Sequence, residues 1–218
     1  MTIGITDLEC PSETHQLYEV TFFSDRIQTL LTHTPALVDS WIANIRHVHR
    51  HRINHLIVGL DVEWRPSFSR NIENPVAILQ LCVGRSCLIF QLLYASSIPP
   101  SLVDFLNNPN FTFVGVGIEA DVEKLLEDYG LQVSRRLDLR GLASTVLNMR
   151  ELRNAGLKGL AKEVLDKDVE KPRRVTMSRW DAEFLTYAQV QYACVDAFLS
   201  FEMGRSLISR NQVQEALN

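Results

Sequence analysis

Two acidic residues near the middle of the chain have a spacing that suits metal binding. Asp61 and Glu63 close an apolar stretch predicted to be a strand, and strand side chains alternate between faces, so both carboxylates project to one side. Hard divalent cations such as magnesium prefer oxygen ligands and are often held by a few carboxylates. The pair alone is also typical of a solvated strand end, and that alternative stays open.

Two further positions supply candidate groups. Asp121 falls in the first turn of the predicted helix Glu119–Tyr129, where the helix dipole by itself favours an acid. Tyr192 and Asp196 are four residues apart within the predicted helix Thr186–Gly204, and this spacing puts them on one helical face. The alternative for this last pair is a core tyrosine near an exposed acid. The three elements therefore have to be judged together.

The elements that must position these side chains predict an α/β fold. Leu17–Phe23 and Ile27–Leu31 alternate apolar and polar residues and predict a hairpin with Ser24 and Asp25 at its turn. Thr34 and Pro35 are typical of a helix start. The remaining predicted strands are Leu56–Glu63, Ala77–Val83, Cys87–Gln91 and Phe111–Val116. The remaining predicted helices are Ser101–Leu106, Glu119–Tyr129, Leu139–Leu147, Gly156–Leu165 and Thr186–Gly204.

Strands in the first half and helices in the second, with crossovers between them, indicate a mixed β-sheet flanked by α-helices. The length of 218 residues and a hydrophobic fraction of 46% favour a single globular domain over residues 1–218. Within it we expect the hairpin at about 17–31 and the core at about 34–209.

A glycine pattern offers a competing interpretation. Gly115, Gly117 and Ala120 form G-x-G-x-x-A, which overlaps the fingerprint of dinucleotide-binding folds. That fingerprint expects an acid about 20 residues later, at the end of a second strand. Asp138 lies near that distance, but the sequence around it is typical of a capped helix start. Because the fingerprint also leaves Asp61 and its partners unexplained, a nucleotide cofactor is disfavoured.

Charge and cysteine usage limit the classes of function. The formal net charge of −4 argues against a protein that coats nucleic acid through bulk positive charge. Basic residues cluster locally, and each cluster is either a solvated face or a phosphate contact; the clusters are Arg46–His47–His49–Arg50–His51–Arg52 and Lys171–Arg173–Arg174. Four cysteines show no CxxC spacing, and no signal peptide or apolar membrane span is evident, so we expect reduced thiols and a cytoplasmic or nuclear location.

Taken in order, Asp61/Glu63, Asp121 and Tyr192/Asp196 resemble the DEDDy branch of the ribonuclease-H-like 3′–5′ exonucleases. Within that family the chain is similar to the Werner-syndrome-like exonuclease domains. The resemblance covers most of the chain and extends to further segments of its second half, which are Gly156–Ala161, Trp180, Leu185–Thr186 and Gln189. The sister branch would require histidine at position 191, which is Gln191 here.

This resemblance implies a metal-dependent 3′–5′ exonuclease that acts on single-stranded nucleic acid, RNA ahead of DNA, and releases nucleoside 5′-monophosphates. It implies two Mg²⁺ or Mn²⁺ ions. Asp61, Glu63 and Asp196 would bind the ion that activates water, Asp61 would also reach the second ion, and Asp121 would act largely through water. Tyr192 completes the catalytic set.

The segment Thr14–Tyr18 and the helix at Thr34–Pro35 are similar to small plant members of the family that include the RISC-interacting clearing exoribonucleases. By analogy we predict a homo-oligomer, a ring of six, and an RNA-silencing complex as partner. A catalytically inactive nucleic-acid or protein-binding module on the same fold is the alternative. The presence of all five family residues argues against it.

Overall fold

A computed structural model of the protein describes residues 3–9, 14–67 and 73–217. Cys10, for which a reduced thiol is predicted, lies outside these ranges. The strands of the described part, β1 to β8, are Ile3–Asp7, His15–Phe22, Asp25–Thr32, Ile57–Trp64, Val76–Val83, Ser86–Phe90, Thr112–Gly115 and Arg136–Asp138. The helices α1 to α7 are Pro35–Val48, Pro100–Leu106, Ile118–Tyr129, Leu139–Val146, Leu157–Leu165, Arg173–Thr176 and Tyr187–Leu217. Short 3₁₀ turns cover Arg50–His55, Leu92–Tyr94 and Arg150–Asn154.

The eight described strands form one mixed sheet in the order β1-β2-β3-β6-β5-β4-β7-β8. The pairs β3/β6, β4/β7 and β7/β8 are parallel, and the remaining neighbours are antiparallel. All eight residues of β5 are buried. A strand buried on both faces needs cover on both sides of the sheet, and the helices provide it.

Two apolar cores lie on opposite faces of the sheet. One contains buried side chains of α4, α5 and α7, and the other contains those of α1, α2 and α3. Helix α1 starts with Pro35 at its first position and buries Val38, Trp41, Ile42 and Ile45 at helical spacing. No helix in the described ranges combines the length and the apolar character that crossing a membrane requires.

The predicted α/β class, a mixed sheet with flanking helices, is confirmed, and so is the hairpin, formed by β2 and β3. Two strands were missed. Strand β1 precedes the predicted hairpin and pairs with β2. Strand β8 has only three residues, too few to show an alternating pattern, and it depends on parallel pairing with β7. Helix α7 also extends well beyond Gly204, the predicted end, to Leu217.

Candidate active site

Asp61 and Glu63 lie on the same face of strand β4, as the strand period predicts. Val62 between them is buried in the core on the opposite face of the sheet, beneath α1, α2 and α3. The two acids therefore project toward the side covered by α7. Strand β4 pairs with β5 on one side and β7 on the other, so its position is fixed by neighbours on both edges.

Three carboxylates converge at this point. One oxygen each of Asp61, Glu63 and Asp196 lies within 4.8 Å of the others. Asp196 is only 3% exposed, so the alternative of an exposed acid on α7 is wrong. Asp121, in the first turn of α3, is not part of this closest group, but its charge raises the pKa of both Asp61 and Glu63. The structure thus brings all four predicted acids into one electrostatic neighbourhood.

The acids disfavour one another's charge. Burial and the neighbouring Asp196 raise the pKa of Glu63 to about 8, and the same causes hold the pKa of Asp61 well above its usual range. Burial and Asp138 raise the pKa of Asp121 to about 7. Clustered carboxylates away from water titrate this way because each negative charge opposes the next. A divalent cation would relieve this repulsion.

One cation already lies in the cluster. The ammonium of Lys171 is 2.5 Å from a carboxylate oxygen of Asp196 and 4.9 Å from the centre of the Tyr192 ring. Lys171 belongs to the basic cluster Lys171–Arg173–Arg174 and was not predicted as a site residue, because no motif spacing links it to the acids. Its neighbours Arg173 and Arg174 remain exposed. The only local hint in the sequence of a role for Lys171 is its position next to a proline and ahead of two arginines.

Tyr192 lies at the edge of the acidic cluster. Its ring packs against the fully buried Trp180, with ring centres 5.8 Å apart. Burial and the charge of Asp196 raise the pKa of the Tyr192 phenol above its ordinary value. The hydroxyl therefore keeps its proton at neutral pH and serves as a hydrogen-bond donor. Tyr192 and Asp196 also line a groove of about 400 Å³.

Asp138, the acid at the distance that the dinucleotide fingerprint expects, hydrogen-bonds to the backbone of the protein. Asp138 closes β8 as well as capping α4, so its prediction as a helix cap was correct but incomplete. One carboxylate oxygen accepts from the backbone N–H of Gly117 at 2.9 Å, and the other accepts from that of Arg140 at 2.7 Å. Gly117 has a φ of +76°, a conformation that favours glycine, and it caps α3. This contact therefore helps to set the position of Asp121.

The donor set fits a hard divalent cation. The closest group consists of carboxylates only, which suits magnesium or manganese better than a soft metal. Burial and mutual repulsion make these acids hold their protons more tightly. A cation that binds here would replace those protons and relieve the repulsion. Asp61, Glu63 and Asp196 are the residues placed to bind it directly.

The fold and the site together define a class of nuclease, and comparison with known proteins agrees with it. NrnC of Brucella melitensis has the same fold, with a TM-score of 0.62 and 20% identity over 75% of this chain and 77% of that one. A sequence model of the family described as 3′–5′ exonuclease matches residues 32–210. The chain therefore belongs to the 3′–5′ exonuclease family and contains a 3′–5′ exonuclease domain.

Relatives share this domain inside longer proteins. A 3′–5′ exonuclease of Arabidopsis thaliana is 34% identical over 151 residues, which is 69% of this chain and 52% of the relative. The bifunctional 3′–5′ exonuclease/ATP-dependent helicase WRN of Mus musculus is 36% identical over 143 residues, 65% of this chain and 10% of that protein. The predicted similarity to Werner-syndrome-like exonuclease domains is confirmed. The chain spans about half of the Arabidopsis relative and a small part of the mouse protein.

Proposed function

We propose that this protein removes nucleotides one at a time from the 3′ end of single-stranded nucleic acid and releases nucleoside 5′-monophosphates. One observation carries the proposal: half-buried Asp61 and Glu63 converge with buried Asp196 within 4.8 Å, at the edge of a groove, in a chain of the 3′–5′ exonuclease family. Such a cluster is unfavourable without cations and suits phosphodiester hydrolysis once they are bound.

In this proposal Asp61, Glu63 and Asp196 would hold one Mg²⁺ or Mn²⁺ ion, Asp61 would also contribute to a second, and Asp121 would act largely through water. When bound, the two ions supply a more acidic water and neutralise charge at the scissile phosphate and the leaving 3′ oxygen. The raised pKa values of Glu63, about 8, and Asp121, about 7, support this assignment because they mark acids whose burial and acidic neighbours outweigh the nearby Lys171 and Arg140 charges.

The side chains of the protein do the positioning. The Tyr192 hydroxyl, protonated at neutral pH, hydrogen-bonds the attacking water and holds it in line with the phosphate. Lys171 compensates Asp196 while no metal is bound, and its flexible ammonium would be released to contact a phosphate once metal takes its place. Trp180, packed on the Tyr192 ring, restricts the orientation of the phenol.

Single-stranded substrate, with RNA ahead of DNA, is part of the proposal. A net charge of −4 offers no broad positive surface with which to clamp a duplex. Recognition of a phosphate and a 3′ end carries little base information, so the two sugars must be compared directly.

The test is digestion of 5′-labelled ladders of matched single- and double-stranded RNA and DNA in one buffer with Mn²⁺. We expect a ladder that shortens from the 3′ end, fastest for single-stranded RNA, with no cleavage by Asp61→Asn. Chromatography of the products should give 5′-monophosphates. A wild-type protein that binds the strands without shortening any of them is a binding module instead, and faster digestion of blunt duplex DNA overturns the substrate preference.

We further propose a homo-oligomer, a ring of six, that acts in the cytoplasm or nucleus with an RNA-silencing complex. The support is the similarity of Thr14–Tyr18 and of the helix start at Thr34–Pro35 to small plant exoribonucleases. Light scattering at micromolar concentration tests the assembly, and a monomer mass refutes it. Cell fractionation, with co-migration of tagged protein and a small-RNA-loaded silencing complex, tests the other two parts.

A further inference from the structure

Phe184 is an exposed aromatic residue that the proposed catalytic mechanism does not use. Its exposed fraction of 77% is the highest among the large apolar side chains of the described residues. The next residue, Leu185, is buried. Burial of a phenylalanine side chain stabilises a protein by roughly 1.5–3 kcal/mol, so folding alone gives no reason for an aromatic ring at this position.

The loop that carries Phe184 is fixed rather than free. The side-chain amide of Gln91 donates to the backbone carbonyl of Glu183 at 2.9 Å. The hydroxyl of Tyr94 donates to the backbone carbonyl of Asp181 at 2.6 Å. The exposed ring is therefore attached to a backbone held by a different part of the fold. A ligand that packs on this ring would pay little entropy for ordering the loop.

Phe184 lies in a groove that adjoins the acidic site. This groove, of about 470 Å³, is lined by Phe184, Arg174 and Ala188, among other residues. Arg174 and Ala188 also line the groove that contains Tyr192 and Asp196. Ala188 precedes Tyr192 by slightly more than one turn of α7, a distance of about 6 Å along the axis. The acidic groove and the Phe184 groove therefore share one wall.

The charge of that shared wall suits phosphate. Arg174 is exposed, and within the described ranges its guanidinium has no ion-pair partner. Arg179, which lines the Phe184 groove, is 70% exposed beside Asp181. Glu170 is an acid on the catalytic side of the wall. Arg174 thus lies between the acidic site and the exposed ring of Phe184. Along this shared wall the arginine offers a contact for a phosphate, and the ring offers a contact for a base.

We propose that this surface, the Phe184 groove, binds the single strand upstream of its 3′ end, with one base stacked on Phe184 and a backbone phosphate at Arg174. Stacking accepts any base because every base has a π face, and an unpaired strand is required since duplex bases are already stacked. The inference rests on the proposed function and deepens it by assigning strand selectivity to Phe184. A second copy of the chain is the competing occupant.

Binding and chemistry can be measured separately. Affinity is measured in EDTA by anisotropy of a 5′-fluorescein single-stranded 12-mer. Chemistry is measured with Mn²⁺ and thymidine 5′-monophosphate p-nitrophenyl ester, which has no upstream nucleotide whose base could stack on Phe184. We expect Phe184→Ala to weaken strand binding by about 5- to 150-fold, the range for loss of one stacked base, while ester hydrolysis stays unchanged. Phe184→Trp should retain affinity.

Two controls isolate the groove. Arg174→Ala should weaken strand binding and reduce its salt dependence, whereas Arg173→Ala, an exposed neighbour that does not line the groove, should do neither. Leu126→Ala, exposed on α3, should bind like wild type. With 2-aminopurine placed along the strand, wild type should quench its fluorescence at one position, and Phe184→Ala should not. A purely structural role for Phe184 would not produce that signature.

The outcomes separate the two proposals. If Phe184→Ala binds the single strand with wild-type affinity, the Phe184 groove is not a strand site, even if the enzyme digests strands normally. If Phe184→Ala changes the molar mass in solution but not the strand affinity, the surface binds a second copy of the chain, and the proposed strand site is wrong as well. If wild type hydrolyses neither strand nor ester but binds strands through Phe184, the exonuclease proposal fails and the groove stands. Absence of any strand binding overturns the inference.

Discussion

Gly59 on β4 lies directly against the backbone of Ala197 on α7. A Cβ at position 59 would be 2.1 Å from the carbonyl oxygen of Ala197 and 2.7 Å from the backbone nitrogen of Phe201. No side chain fits into that space. Because Gly59 precedes Asp61 by two residues and Ala197 follows Asp196, this contact sets the distance between the acids of the strand and the acid of the helix.

Gly59→Ala should therefore damage both stability and the site. Overpacking typically costs about 1–3 kcal/mol, and a clash with backbone leaves no flexible side chain to move aside. We expect a loss of at least that size in urea denaturation, with weaker manganese binding by calorimetry. Gly141→Ala is the matched control, since nothing lies within 4 Å of its added Cβ and alanine favours a helix. Equal stability of the two variants would show that α7 can shift freely.

Lys171→Met should destabilise the metal-free protein and spare the metal-loaded one. Removing one partner of a buried ion pair costs about 3–5 kcal/mol, and we expect about 1–2 kcal/mol here because Lys171 is 28% exposed. At pH 8 the melting temperature should fall in EDTA and recover with Mn²⁺, which takes over the charge of Asp196. Lys158→Met, which removes an exposed pair with Asp168, should change little. A deficit that Mn²⁺ fails to reduce would contradict this role.

The stability of the metal-free protein should fall as pH rises. Folding raises the pKa of Asp121 to about 7 and that of Glu63 to about 8, so the folded state binds these protons more tightly than the unfolded chain. The resulting stabilisation is fully present near pH 4 and is lost as pH rises through 7 and 8. Thermal melts in EDTA from pH 5 to 9 measure this, and Glu63→Gln should flatten the slope. Mn²⁺ should stabilise most at the alkaline end.

Tyr192→Phe and Asp61→Asn should fail in different ways. Loss of the phenol hydroxyl removes one positioned group, so turnover should drop roughly 10²- to 10⁴-fold while affinity for metal and strand is kept. Asp61→Asn should abolish turnover and weaken metal binding, because its carboxylate is central to the cluster. Single-turnover cleavage beside calorimetric metal titration distinguishes them. If Tyr192→Phe cleaves at the wild-type rate, or if it loses metal as Asp61→Asn does, Tyr192 is not the residue that orients the attacking water.

Local periodicity in the sequence was sufficient to predict much of the secondary structure and part of the site. The strand repeat alone puts Asp61 and Glu63 on one face, and the helical repeat puts Tyr192 and Asp196 on one face. Both relationships depend on residues close in the chain, where backbone geometry leaves few choices. For the same reason most of the strongly patterned elements were predicted within a few residues, whereas β8, with only three residues, was missed and the end of α7 was placed too early.

What no local pattern contains is which distant segments meet. The sequence by itself supplied the carboxylates and their spacing, and only the tertiary structure decided that Asp196 is buried against Asp61, through the close approach that Gly59 permits. It likewise placed Lys171 among the acids and left Phe184 on the surface. The physical reason is that these positions follow from packing α7 across the sheet, which depends on side-chain volume and long-range contacts rather than on the periodicity of any one segment.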